Sequence, residues 1–101
     1  MYRSFISIDG CSRRSDFRIG DLESRTTSEK KTSPFNADTP QECADRVRRQ
    51  YPDASGATWG RHRFWMVVSG YSSDCWAEFG GPNIRTNLAA IDWLSCVFKG
   101  K

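Results

Sequence analysis

The sequence predicts an α+β domain: an antiparallel sheet of about five strands, one helix packed on it, and two disulfides. Three observations carry that expectation. The segment from Thr39 to Tyr51 has both helix-start and helix-stop signals, the chain after it reads as short aromatic strands, and four cysteines are spread through 101 residues. One of those cysteines falls on the helix and another on a strand.

The helix is signalled most strongly. Thr39 is a good N-cap, Pro40 suits the first helical position, and Glu42 completes a Thr-x-x-Glu capping box. Cys43, Val47 and Tyr51 recur at spacings of four with Ala44 beside them, which makes one narrow apolar stripe. Pro52 stops the helix at about Tyr51. Glu42 with Arg46, and Asp45 with Arg49, are favourably ordered charge pairs expected on the wet side.

The strands follow from alternation and turn residues. Tyr2 to Ile8 reads as a first strand ending at Asp9-Gly10. Residues 12–38 read as a polar loop or insert, with one short strand near Phe17–Leu22, Glu29, Lys30 and Lys31 in water, and Ser33-Pro34 closing the segment. Beyond the helix, Asp53–Gly56 is a turn, Ala57–Trp59 a short strand, and Arg63–Ser69 a longer central one. Gly70–Asp74 suits a hairpin connection into Cys75–Phe79. There Cys75, Ala77 and Phe79 share the inward face, so Trp76 and Glu78 point the other way. Gly80 to Asn83 breaks the sheet, and a last strand lies around Trp93–Phe98 with Leu94, Cys96 and Phe98 on one face.

Composition bounds the function. Hydrophobic residues at 38% and charged residues at 27% describe an ordered globular chain, and residues 1–101 form a single domain. A net charge of +3 is mild, lacking the dense basic face of a nucleic-acid binder, and nothing approaches a membrane span. Four cysteines in so short a chain imply two disulfides and an oxidising, extracellular setting. Zinc would need close Cys or His pairs; the cysteines are widely spaced and His62 is the only histidine. Met1–Gly10 has no signal-peptide core and no Asn-x-Ser/Thr site occurs, so secretion rests on the cysteines and requires a leader already removed.

Four cysteines allow three connectivities, and sequence alone leaves them open. Cys43 on the helix stripe and Cys75 on the inward strand face favour one bridge, with Cys11 and Cys96 then joining the terminal strands.

Pro40-Gln41-Glu42-Cys43-Ala44, Gly56-Ala57-Thr58-Trp59 and Asp74-Cys75-Trp76-Ala77-Glu78-Phe79, with cysteines near both ends, resemble the PAN/apple domain pattern. The resemblance implies Cys43–Cys75 and Cys11–Cys96 bridges, an extracellular five-stranded sheet around one helix, and a non-catalytic module that binds proteins or carbohydrates. The family's frequent third bridge has no counterpart here; its cysteine would fall near Thr58 or Trp59.

Catalytic machinery does not stand out. His62 lacks a nucleophile-elbow context, and Glu78 would need Asp92, Asp74 or Asp21 as a partner in a cleft. No cofactor and no metal is expected. The candidate ligand surface is aromatic and basic: Trp76, Glu78, Trp65, Trp59, Arg61, His62 and Arg63. Exposed rings stack on the apolar face of a sugar while charged groups hold its hydroxyls. The function expected is therefore a secreted module for a carbohydrate, as in a lectin, or for an extracellular protein. The alternative is a cationic host-defence or matrix protein that binds polyanions through Arg46, Arg48, Arg49, Arg61 and Arg63, which Glu42 and Asp45 partly neutralise. A small hydrolase is the least favoured reading.

Overall fold

A computed structural model describes residues 11, 13–23, 28–63, 71–81, 84–90 and 92–98, with the side chains of 14, 61–63, 71 and 72 outside the description. The strand expected over Tyr2–Ile8 and the central run at residues 64–69 both lie outside the described residues. What is described is α+β. The strands are β1 (Arg18–Ile19), β2 (Asp21–Glu23), β3 (Glu29–Asn36), β4 (Gly56–Arg63), β5 (Tyr71–Glu78), β6 (Arg85–Asn87) and β7 (Trp93–Val97), and the helix α1 is Pro40–Gln50. Five strands form an antiparallel sheet in the order β1-β7-β4-β5-β3, and β2 pairs with β6 in a separate two-stranded sheet.

The helix begins where its cap signals place it. Thr39 is extended, and its hydroxyl accepts from the Glu42 N–H at 3.1 Å. The Glu42 carboxylate reaches back one residue further than a capping box requires, accepting from the Asp38 N–H at 3.3 Å. Cys43, Ala44 and Val47 are fully buried, and Tyr51 packs at the edge of the core. Two bridges join helix to sheet and chain end to chain end: Cys43–Cys75, with Cα atoms 5.4 Å apart, and Cys11–Cys96, with Cα atoms 5.8 Å apart. Their sulfurs sit among Ala57, Trp59, Ala77 and Phe98, so the bridges are part of the core.

Three sequence expectations are corrected. First, the polar stretch before the helix contains the edge strand β3 rather than only a loop. Its polar residues are mostly exposed, with only Thr32 buried, so they show no alternation, and it lies at the sheet edge, paired with β5. Some of its other backbone groups find partners on the helix and its C-cap. The Tyr51 hydroxyl donates to the Lys31 carbonyl at 2.9 Å, and the Gln50 amide both accepts from the Ser33 N–H at 2.9 Å and donates to the Ser33 carbonyl. Pro34 is tolerated because it lies on an edge, where the register with β5 shifts.

Second, Ala57–Trp59 is only part of β4, which continues through Gly60, and Tyr71–Asp74 belongs to β5 rather than to the connection. Gly60 is required inside the strand. A Cβ there would fall within the Trp93 ring that lies across it from β7. Gly60→Ala should therefore displace Trp93, lowering stability by about 1–3 kcal/mol in urea denaturation and shifting the tryptophan emission.

Third, the helix's outer face is less basic than expected. Arg46 is buried and donates to the carbonyls of Pro34 at 2.8 Å and Asn36 at 2.7 Å, as well as to Glu42 at 2.7 Å. Asp45 pairs with Arg48.

Candidate functional site

The two faces of the large sheet have different fates, and strand parity decides which residue goes where. On the helix side lie Ala57, Trp59, Cys75, Ala77 and Cys96, all buried. Trp59 is among them: it is 7% exposed and its indole N–H donates to the Ala37 carbonyl at 2.8 Å, so it is a core residue with no free ring face for a ligand. On the outer side, β5 presents Trp76 and Glu78. Across the ladders, Trp76 faces Lys31 on β3 and Thr58 on β4, while Glu78 faces Glu29 and Gly56.

Part of this outer face is open. Trp76 is half-buried, with the Phe35 ring set edge-on against it at 5.1 Å and an interplanar angle of 85°. The Lys31 ammonium lies 5.1 Å from the Phe35 centroid and 6.0 Å from that of Trp76. Rings held this way have little rotamer freedom left to lose when a ligand docks. Trp93, half-buried over Gly60, adds a second indole to the same side of the sheet. The sequence reading does not single it out, although placing Leu94 and Cys96 inward already sends Trp93 outward.

The rest is covered by the small sheet. Leu22 is 3% exposed and its Cδ1 lies 2.8 Å from where a Gly56 Cβ would stand, while Ser95 donates its hydroxyl to the Gly20 carbonyl at 2.8 Å. Glu78 therefore shares a face with Trp76, as alternation predicts, but it is 1% exposed rather than open to a ligand. Of the three acids the sequence offers as its partner, Asp21 is the one brought to it, and Glu29 joins them. One carboxylate oxygen from each residue lies within 4.8 Å of the other two. Asp92 is exposed elsewhere, and Asp74 accepts from the Asn36 side-chain amide at 3.2 Å.

Electrostatics follow from that convergence. Burial, and then the Glu29 carboxyl across the ladder, push the Glu78 pKa up to about 9, with Asp21 adding to the rise and the Thr58 hydroxyl opposing it. Asp21 is raised as well, first by burial and then by Glu29. Thr58 Oγ1 and Glu78 Oε2 are both buried, and although Thr58 faces the carboxyls, neither atom makes a hydrogen bond of good geometry among the described residues.

Arg61, His62 and Arg63 form the end of β4, paired with Ser73, Ser72 and Tyr71; their side chains, and all of Trp65, lie outside the described residues. Of the sequence-predicted set, the fold thus places Trp76 on an open face, Glu78 beside it but covered, and Trp59 on the opposite face. No helix among the described residues is long and apolar enough to cross a membrane. Comparison of the chain with protein-family models, curated proteins and solved structures finds no match in any of the three.

Proposed function

We propose that this domain is a secreted, non-catalytic binding module of PAN/apple-like type that recognises a carbohydrate or an extracellular protein through the open part of its outer sheet face. The observation that carries the reading is the Trp76–Phe35–Lys31 cluster, two braced rings with an ammonium above them on the β3–β5 edge. A half-buried indole offers a flat apolar surface for the C–H face of a pyranose or for an apolar side chain, and the nearby cation holds a hydroxyl or carboxylate.

Two features support side-chain recognition over strand addition. β3 bears exposed Lys30 and Lys31, and its register is interrupted before Asn36 by a segment containing Pro34, all of which blunt a sheet edge. A non-catalytic role is supported by the burial of Glu78, which keeps its carboxyl away from any substrate docked at Trp76. Disulfides built into the core support an oxidising compartment.

Binding on a glycan array and to immobilised extracellular proteins, repeated at high salt, tests the reading. Specific recognition should persist in salt, whereas the polyanion alternative fades as charges are screened. Trp76→Ala should weaken binding at least tenfold while far-UV circular dichroism stays unchanged. Binding indifferent to Trp76→Ala would remove this surface from the function.

A further inference from the structure

We propose that Asp21, Glu29, Glu78 and the Thr58 hydroxyl form a binding site for a hard divalent cation, calcium foremost. Four strands from both sheets bring these groups together: Asp21 from β2, Glu29 from β3, Thr58 from β4 and Glu78 from β5. Three carboxyl groups within 4.8 Å of one another cannot all ionise without repulsion, which a cation would relieve, and no lysine or arginine among the described residues forms an ion pair with any of them.

A second observation points to a ligand. Thr58 Oγ1 belongs to a residue that is 0% exposed and faces the carboxyls of Asp21 and Glu78, yet it makes no hydrogen bond of good geometry among the described residues; Glu78 Oε2 is buried and equally lacks one. Leaving buried polar atoms unmade costs free energy. A single cation between the strands supplies a partner to both atoms and compensates the converging charge.

Donor chemistry selects the ion. All the groups are oxygens, which suit calcium, magnesium or manganese, whereas zinc favours nitrogen and sulfur. Calcium accepts irregular geometry with Ca–O distances of about 2.3–2.6 Å, so two ligands on opposite sides of it stand up to about 5 Å apart, a span that includes the separation found here. Magnesium demands a tighter octahedron. Glu29 is exposed and Asp21 half-buried, so the cluster has an entry path and room for water to complete the coordination shell. A bound ion would tie the small sheet to the large one two residues along β5 from Trp76. The inference does not depend on which ligand docks there.

Calorimetric titration of calcium into chelator-treated protein, with thermal melts alongside, tests it. Saturable binding with a midpoint of about 0.1–1 mM and a melting temperature that rises with calcium are expected. Glu78→Gln and Glu29→Gln should each abolish both signals, and Glu23→Gln, on the same small sheet but outside the cluster, should keep them. Glu29 is exposed, so its variant is expected to fold even if Glu78→Gln does not. No heat and no melting shift at about 10 mM calcium would overturn the proposal. So would a shift that survives Glu29→Gln, and a response to magnesium but not calcium would overturn the assignment of the ion.

Discussion

Reduction should unfold this domain under conditions where the oxidised protein stays folded. Cys43–Cys75 closes a loop of 32 residues and Cys11–Cys96 one of 85. Restricting the unfolded chain over such loops contributes about 4 kcal/mol for the first and about 4–5 kcal/mol for the second. Together these rival the whole stability expected of a domain this size, about 5–15 kcal/mol. All four cysteines are buried, so each bridge also fills core volume beside Val47, Ala57 and Ala77. The double variant Cys43→Ala/Cys75→Ala isolates the helix-to-sheet bridge, and its melting temperature should fall by about 15 °C or more. A reduced protein that melts where the oxidised one does would contradict this.

The second large effect is the dependence of stability on pH. The unfolded chain releases the Glu78 proton near 4.5, whereas the fold holds it until about 9. Between those values the unfolded state binds fewer protons than the folded one, so stability falls as pH rises and levels off outside that window. The limiting slope is about 1.4 kcal/mol per pH unit, which by pH 7 has removed about 3 kcal/mol relative to acid conditions. The groups facing Glu78 are Glu29 across the β3–β5 ladder, Asp21 from β2 and Thr58 from β4; the raised Asp21 acts in the same direction. Glu78→Gln removes the titrating proton, so the difference in stability between variant and parent should grow steadily in the variant's favour from pH 5 to pH 9. Urea denaturation across that range in chelator-containing buffer measures it, and parallel pH profiles for the two proteins would refute the burial-driven shift.

The helix was legible in the sequence because every signal for it is local. Thr39, Pro40 and Glu42 act within one turn, and Cys43, Val47 and Tyr51 repeat with the helical period. Strand parity was legible for the same reason: Cys75 and Ala77 lie toward the helix, and Trp76 and Glu78 lie away from it. Those faces brought Cys43 to Cys75, the pairing the structure contains. β3 escaped notice because an edge strand of polar residues has no apolar alternation to read, and its backbone partners on the helix, Gln50 and Tyr51, follow it in the chain. β6 escaped for a related reason. At Arg85–Asn87 it is short, and its pairing partner β2 is distant in the chain.

The candidate site divides along the same line. Trp76 could be placed on an outer face from its neighbours alone, and Glu78 with it. Whether that face meets water depended on Leu22 and Gly20 folding over Gly56 and Ser95, a long-range contact that no periodicity encodes. Local residue order determined one capped helix, the parity of its neighbouring strands and the cysteines that clamp them, because backbone geometry repeats every few residues. Only tertiary packing decided that Glu78 is covered and meets Asp21 and Glu29, because burial depends on what the rest of the chain lays over a side chain.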